Sequence, residues 1–246
     1  MLDFYVIVIA LIIGLGSFTQ GLTGFGLALV SVPLLSLVVD VKQAIPIAGI
    51  FGWLVTFPIV FKMKQHIQWS VGLALFIGSL PGSFLGANLL KLLPSSVILI
   101  SMGIVLILAS IYSLSSKNTL FRSPSKLVSL IVGFFSGSLG AAVGEPGPPV
   151  IAYTSMLPWT KDQTKSTLVF FFMLQMIGAN LGFYSKGLLT SEVLTYIMKA
   201  FPMFVVGLMC GLKTYHLLNK YCLNYHKIIY SLLVVIGCVL IIKSIL

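Results

Sequence analysis

Long apolar runs separated by short polar connectors dominate this chain. A helix needs about 20 mainly apolar residues to cross the hydrocarbon core of a bilayer, and most runs approach that length. The runs lie at residues 4–18, 25–39, 45–61, 70–90, 97–114, 127–143, 147–158, 167–184, 193–212 and 228–246. They are continuous, whereas the strands of a membrane β-barrel alternate apolar and polar residues. The pattern therefore predicts an all-α, polytopic membrane protein.

The composition supports the same class. Hydrophobic residues make up 58% of the 246 residues and charged residues only 8%, whereas soluble domains are about 45–50% apolar and about a quarter charged. The mean hydropathy is +1.10. This excludes a cytosolic enzyme, a disordered chain and a nucleic-acid-binding protein. We expect the lipid bilayer, and no nucleic acid, as a partner.

Catalytic and metal-binding motifs are missing from the sequence. It contains no HExxH, GxSxG or Walker A motif. The cysteines Cys210, Cys222 and Cys238 are scattered, without the spacing of metal ligands. We therefore expect no enzymatic activity, no cofactor and no metal site.

Two glycine-rich breaks precede two short apolar runs, 25–39 and 147–158. Non-helical backbone is tolerated at membrane depth only where it is buried in protein or lines a cavity. A helix that begins after such a break offers free N–H donors and a partial positive charge at its N-terminus. Two such N-termini near the middle of the membrane would bind an anion without a buried lysine or arginine. The breaks therefore predict a binding site for a small anionic substrate.

The candidate substrate-binding residues lie in these breaks and in the run 167–184. They are Gln20, Gly21, Thr23, Gly24, Phe25 and Gly26 in the first break, Gly144, Glu145, Pro146 and Gly147 in the second, and Gln175 and Asn180 in the run. The alternative for the glycines is close helix packing through small residues. Gln175 and Asn180 either face the same cavity or form hydrogen bonds between helices.

Glu145 is the only carboxylate among residues 70–157. An ionisable group at membrane depth is a functional hypothesis by default, and here it is our candidate for carrying a coupling proton. Two alternatives stay open. Glu145 could fix the loop by accepting backbone N–H bonds, or it could be solvated near the membrane interface.

The two halves of the chain, residues 1–118 and 119–246, resemble each other. Gly14-Leu-Gly-Ser aligns with Gly133-Phe-Phe-Ser, and the pair Gly82/Gly86 then corresponds to Gly207/Gly211. Each half has five runs, and the short run is either a full crossing or part of a re-entrant hairpin. Both alternatives give each half an odd number of crossings, so the second half is inverted relative to the first. We therefore predict two inverted repeats, each with a glycine-broken helical hairpin and about three transmembrane helices.

The net charge of +10 comes from basic residues in the connectors. Ten of them fall on one predicted side: Lys62, Lys64, Lys117, Arg122, Lys126, Lys161, Lys165, Lys213, Lys220 and Lys227. Four fall on the other: Lys42, Lys91, Lys186 and Lys243. Because cytoplasmic loops are rich in lysine and arginine, we place the first group in the cytoplasm. Both termini are then non-cytoplasmic, in a multi-pass protein of the inner membrane.

The glycine and proline pattern resembles that of the TauE/SafE sulfite exporter family. The run Gln20-Gly-Leu-Thr-Gly-Phe-Gly-Leu-Ala-Leu-Val-Ser-Val-Pro33 is similar to its first signature. The stretch from Gly133 through Gly144 to Pro149, followed by Lys161 to Thr167, is similar to its second. The chain departs from the family pattern at Gly144-Glu-Pro-Gly-Pro-Pro and at Ile45-Pro46.

This resemblance implies a secondary transporter in the membrane. Its expected substrates are small sulfur-containing anions: sulfite, thiosulfate, or an organosulfonate such as sulfoacetate or a taurine derivative. A transporter of another small organic or inorganic anion, and a membrane subunit without transport activity, are the alternatives. Homo-oligomer formation stays open.

Overall fold

The computed structural model describes residues 2–23, 26–114, 123–218, 234–242 and 244. Helices make up almost all of this part, and no strand occurs in it, so the predicted all-α class is confirmed. The helices are α1 Leu2–Thr23, α2 Leu27–Leu35, α3 Val41–Met63, α4 Trp69–Leu92, α5 Ser95–Leu114, α6 Lys126–Val143, α7 Gly147–Ser155, α8 Lys161–Ser185, α9 Ser191–Leu218 and α10 at residues 234–242.

Six of these helices are long and apolar enough to cross a membrane: α1, α3, α4, α6, α8 and α9. The helices α2 and α7 have nine residues each, which is about 14 Å at 1.5 Å per residue. That is about half of the hydrocarbon thickness. The lengths therefore favour the re-entrant hairpin over a full crossing for both short runs.

Polar residues fix where the long central helices begin. The side chain of Asp40 accepts a hydrogen bond from the N–H of Lys42 at 2.8 Å and so caps α3. Thr160 and Gln163 form a reciprocal capping box at the start of α8. Such caps satisfy backbone donors that lack a partner within the helix.

The helix bounds repeat along the chain with an offset of 120 residues. The ends of α1 and α6, both bounds of α2 and α7, and the starts of α3 and α8 all differ by this number. The glycine matches in the sequence have similar offsets, 119 residues between Gly14 and Gly133 and 125 residues between Gly82 and Gly207. The boundary predicted at residue 118 lies outside the described residues and stays a prediction.

Neighbouring helices have directions that an inverted repeat requires. On α4, Gly78, Gly82 and Gly86 face Leu130, Phe134 and Ser138 of α6 in the same order, so these two helices are parallel. The helices α3 and α8, which occupy equivalent places in the two halves, are antiparallel. Gly49 lies against Phe183, whereas Ile59 and Val60, near the other end of α3, pack with Val169 and Phe170. The inversion of the complete repeats stays a prediction.

Glycines bring two helix pairs into backbone contact. A Cβ atom at Gly82 or Gly133 would meet a backbone carbonyl oxygen across the α4–α6 pair. A Cβ at Gly207 or Gly211 would meet the carbonyl oxygen of Gly14 or Phe18 across the parallel α1–α9 pair. Close packing through small residues, the alternative considered for the glycines, is therefore the role of these positions.

Among the described residues, the connectors lie at the two ends of the helices as the charge count grouped them, whereas Lys117, Arg122, Lys220, Lys227 and Lys243 lie outside the described residues. At one end, Lys42 Nζ donates to the carbonyl oxygen of Lys91 at 3.0 Å. At the other end, the N–H of Gln68 donates to Thr167 Oγ1 at 3.0 Å, which joins the start of α4 to the start of α8. Which end faces the cytoplasm stays a prediction.

Candidate functional site

The two breaks lie side by side and line one pocket. Its empty space, including the open mouth, is about 470 Å³. The lining residues are Gln20, Gly26, Ala28, Leu29, Gly52, Thr56, Glu145, Pro146, Gly147, Ile151, Phe172 and Met176. Most of this lining is apolar, and it contains no lysine or arginine.

The pocket lies at mid-length of α3 and α8. Gly52 and Thr56 are the twelfth and sixteenth residues of α3, and Phe172 and Met176 occupy the same places in α8. Both helices are candidate membrane spans. The pocket therefore lies near the middle of these two candidate membrane spans.

The first break presents the N-terminus of α2 to the pocket. Gly26 precedes this helix with φ of 118°, a left-handed conformation that glycine adopts without strain. The N–H of Leu27 donates to Gln20 Oε1 at 2.7 Å, so the side chain of Gln20 occupies the first donor of the helix. Ala28 and Leu29 follow in the first turn, where N–H groups have no partner within the helix, and both line the pocket.

The second break differs from the first in its donors. The helix α6 ends at Val143 and is capped by Gly144, whose φ is 79°. The N–H groups of Gly144 and Glu145 donate to the carbonyl oxygens of Gly140 and Leu139. The first turn of α7 contains Pro148 and Pro149, which have no N–H. The expectation that both helix N-termini supply several donors is therefore wrong for α7, where Gly147 is the first residue with an N–H.

Glu145 lies in the wall of this pocket and is only 1% exposed. The interpretation of a solvated residue near the interface is therefore wrong. Its Oε1 atom has no hydrogen-bond partner among the described residues, so this oxygen does not fix the loop. A buried carboxylate without a partner is costly when charged, and the group is suited to hold a proton.

The remaining candidates of the breaks have different places. Gly21 packs against α9, because a Cβ there would lie 2.9 Å from the carbonyl oxygen of Leu208, and it does not line the pocket. The Thr23 side chain, Gly24 and Phe25 lie outside the described residues. A Cβ at Gly144 would meet the methyl groups of Val32 at 3.0 and 3.1 Å, so this glycine allows the second break to contact α2.

Gln175 and Asn180 do not line the pocket. Gln175 is fully buried and its Nε2 donates to Ser83 Oγ at 3.3 Å, which is the interhelical alternative considered for it. A Cβ at Gly49 of α3 would lie 3.7 Å from Asn180 Oδ1. Both side-chain oxygens, Gln175 Oε1 and Asn180 Oδ1, are buried without a partner in the described part of the chain. A role in substrate binding stays a prediction for both.

Sequence reasoning missed the pocket residues of the long helices. Thr56 and Met176, and likewise Gly52 and Phe172, are related by the same offset of 120 residues. The offset, applied to the middle of each long run, would have found them. Thr56 Oγ1 donates to the carbonyl oxygen of Trp53 at 2.6 Å. Among the described residues, no group of three or more histidine, cysteine or acidic side chains could hold a metal ion.

Comparisons with known proteins agree with this architecture. The family described as Sulfite exporter TauE/SafE matches residues 8–240. A relative from Cupriavidus necator, named "Probable sulfite/organosulfonate exporter TauE", is 24% identical over 208 residues, which cover 81% of this chain and 80% of the relative. No solved structure gives a significant match. The match over most of its length shows that this chain belongs to the TauE/SafE sulfite exporter family.

Proposed function

We propose that this protein is a secondary transporter that moves a small sulfur-containing anion across the inner membrane. Sulfite, thiosulfate or an organosulfonate such as sulfoacetate is the substrate, and transport is coupled to protons. The observation that carries the proposal is the pocket between the two breaks, at mid-length of α3 and α8, with the buried Glu145 in its wall. The family and the name of the Cupriavidus necator relative support the substrate class.

The substrate is held by backbone and amide donors. The first turn of α2 supplies N–H groups and the positive end of the helix dipole. Gln20 lines the same wall, and because its oxygen accepts the N–H of Leu27, its amide nitrogen is left for other partners. Binding of an anion here needs no basic side chain, which agrees with the lining.

Glu145 couples the anion to a proton. A charged carboxylate in this wall would repel a bound anion, whereas a protonated one would not and could donate a hydrogen bond. Protonation and anion binding therefore favour each other, and the linkage is reciprocal. A substrate that enters with a proton on Glu145 crosses with its charge partly or wholly compensated.

Two inverted halves would give the alternating access that such transport requires. The 120-residue offset of the helix bounds and the antiparallel α3 and α8 support this part of the proposal. With the lysine- and arginine-rich connectors in the cytoplasm, both termini would lie on the non-cytoplasmic side.

Flux into proteoliposomes tests the proposal. Purified protein is reconstituted and the uptake of radiolabelled sulfite is measured, with thiosulfate, sulfoacetate, taurine and an unrelated organic acid as competitors. We expect saturable uptake that sulfur anions inhibit and that an inward proton gradient accelerates. Inhibition by the organic acid alone would favour a transporter of another anion. Folded protein without flux of any of these anions would favour a non-transporting membrane subunit.

Gly147→Leu is the site-directed arm of this experiment. The larger side chain would enter the pocket at the start of α7, and we expect at least about a tenfold loss of uptake at unchanged expression. Gly147→Ala is the control, because a Cβ at this position meets only the flexible Cδ1 of Ile151, at 3.2 Å. Gly26 is less suitable, since its φ of 118° strains any other residue. Full activity of Gly147→Leu would place the substrate elsewhere.

A further inference from the structure

The fourth helix of each half packs on the other half. Among the described residues, α4 makes its main contacts with α6 and α8, and not with α3, which precedes it in the chain. In the same way, α9 packs on α1 and α3, and not on α8. The spatial groups of helices therefore differ from the two sequence repeats.

We propose that the moving parts of this transporter are two mixed bodies and not the two sequence halves. Body one consists of α1, α2, α3 and α9, and body two consists of α4, α6, α7 and α8. Substrate is released to either side when body one moves against body two along the α3–α8 interface. This inference rests on the proposed transport function, but it concerns which helices move together.

Backbone contact makes each body stiff. In body two, Cβ atoms at Gly78 and Gly82 of α4 would meet carbonyl oxygens of α6. In body one, Cβ atoms at Gly207 and Gly211 of α9 would meet carbonyl oxygens of α1. Helices that touch through glycines along several turns cannot slide or separate without losing close packing over the whole contact. Each pair is therefore expected to move as a unit.

Side chains attach the central helices to the same bodies. In body one, the ring centroids of Phe51 on α3 and Phe204 on α9 are 5.0 Å apart, and Gln43 Nε2 donates to Glu192 Oε2 at 2.8 Å. In body two, the ring centroids of Trp69 on α4 and Phe170 on α8 are 4.8 Å apart. These contacts join the N-terminal part of α3 to α9, and that of α8 to α4.

The interface between α3 and α8 has a different character. It is made by side chains, such as Gly49 against the ring of Phe183 and a cluster of Ile59, Val60 and Val169. Neither helix places a glycine against the backbone of the other. Apolar side chains can change rotamer and exchange neighbours, whereas two helix backbones in direct contact through glycines have no such freedom. The pocket lies at this interface, and both bodies contribute to its wall.

Among the described residues, a surface hydrogen bond crosses between the bodies at the end that carries Lys42. It joins Lys42 Nζ to the carbonyl oxygen of Lys91, and it is exposed. An exposed polar contact contributes little to stability. It would break and re-form during the movement without a large barrier.

Two spin-label pairs at this end distinguish the mixed bodies from the sequence halves. Tyr5 and Leu194 belong to different halves but to the same body, and they are 42% and 47% exposed. Leu37 and Leu92 belong to the same half but to different bodies, and they are 42% and 69% exposed. Each pair is labelled through cysteines, with a spin label attached by a thioether bond that sulfite does not cleave, in a cysteine-free background of the full chain. Distances are measured by EPR in lipid at about pH 5 and pH 8, with and without sodium sulfite.

We expect the Leu37–Leu92 distance to change between these conditions and the Tyr5–Leu194 distance to stay constant. A change of the Tyr5–Leu194 distance with a constant Leu37–Leu92 distance would overturn the proposal in favour of movement of whole halves. Constant distances for both pairs in all conditions would also overturn it. Because the distances are measured without flux, moving labels in a protein that fails to transport sulfite would count against the proposed function and not against the two bodies.

Cross-linking gives a second measurement. A short reducible link between Gln43→Cys and Glu192→Cys joins the two halves within body one. Uptake is measured with thiosulfate, because sulfite cleaves disulfides, and we expect it to stay within about twofold of the reduced protein. The same kind of link between Lys42→Cys and Lys91→Cys, two positions in contact across the bodies, joins the two bodies. There we expect uptake to fall by at least about tenfold and to recover on reduction. The opposite pattern would overturn the proposal.

Discussion

At the scale of single residues, we predict that Glu145 determines how the pocket responds to pH. Its charged form repels a bound anion, so anion affinity should increase as the pH falls through the pKa of this carboxyl group. Between about pH 8 and pH 5 we expect the dissociation constant for thiosulfate, whose own charge is constant over this range, to fall by about tenfold or more, equivalent to about 1.4 kcal/mol. Glu145→Gln should bind with a nearly flat pH profile, because its amide is neutral throughout.

Asp162→Asn is the matched control, since this carboxylate is exposed in the first turn of α8. Its pH profile should follow the unmodified protein. In flux assays, Glu145→Gln should retain exchange of substrate for substrate and lose accumulation driven by a proton gradient. Identical pH profiles for Glu145→Gln and the unmodified protein would remove this residue from the coupling mechanism.

Gln20 has a structural role, and substitutions can separate it from the binding role that we propose. Gln20→Glu keeps an acceptor for the N–H of Leu27 but replaces the amide donor with a negative charge. The position is buried, and the positive end of α2 should offset part of the cost of burying this charge. We expect an anion affinity reduced by about tenfold or more. Gln20→Met removes the acceptor at the start of α2, which should cost about 0.5–2 kcal/mol of stability.

Thermal unfolding in detergent and sulfite competition binding measure the two effects. Equal losses of stability in both Gln20 variants would show that the amide acts only in folding. An unchanged affinity in Gln20→Glu would place the anion away from the first break.

The sequence was informative at this scale where a residue is unusual for a membrane interior. Glu145 and Gln20 stand out by their chemistry, and both line the pocket. Phe172 and Met176 do not stand out, because apolar residues fill every run and the lining ones look like core. Gln175 is less informative, since a polar side chain inside a run can form a hydrogen bond with a neighbouring helix, here at Ser83.

At the scale of elements, the α4–α6 pair predicts different outcomes for two helical glycines. Gly82→Ala would place a methyl group against the carbonyl oxygen of Phe134, and we expect a destabilisation of about 1–3 kcal/mol from overpacking. Gly52→Ala is the matched control, because nothing lies within 4 Å of a Cβ built there. It should be neutral or slightly stabilising, since alanine favours helix more than glycine does.

Tryptophan fluorescence during thermal unfolding and the fraction of monodisperse protein compare the two variants. A Gly82→Ala protein as stable as Gly52→Ala would contradict backbone contact between α4 and α6, and with it the stiffness of body two. The glycine motif alone indicated such packing but did not identify the partner helix. Which helices pair is a property of the tertiary arrangement, and nothing in the spacing of Gly78, Gly82 and Gly86 encodes α6 as the neighbour.

The breaks show the same division between local and distant information. Their positions could be predicted, because glycine clusters interrupt apolar runs, and the short helices α2 and α7 begin where expected. The number of donors in the second break was overestimated, although Pro148 and Pro149 are visible in the sequence. Proline suits the first turn of a helix because an N–H is unsatisfied there, and that same N–H is the one an anion would have used.

At the scale of the whole molecule, the distribution of charge predicts the orientation in the membrane. The contacts group Lys42 with Lys91 at one end of the helices, and the short turn with Lys64 lies at the other end. Ten basic connector residues against four place the end with Lys64 in the cytoplasm.

In a cysteine-free background, Lys64→Cys should resist a membrane-impermeant thiol reagent added to intact cells, whereas Lys91→Cys should react. Both positions are exposed, so a difference between them reports sidedness and not burial. Permeabilised cells, in which both cysteines should react, control for accessibility. Reaction of Lys64→Cys but not Lys91→Cys in intact cells would reverse the orientation, place the termini in the cytoplasm and leave the relation between the two mixed bodies unchanged.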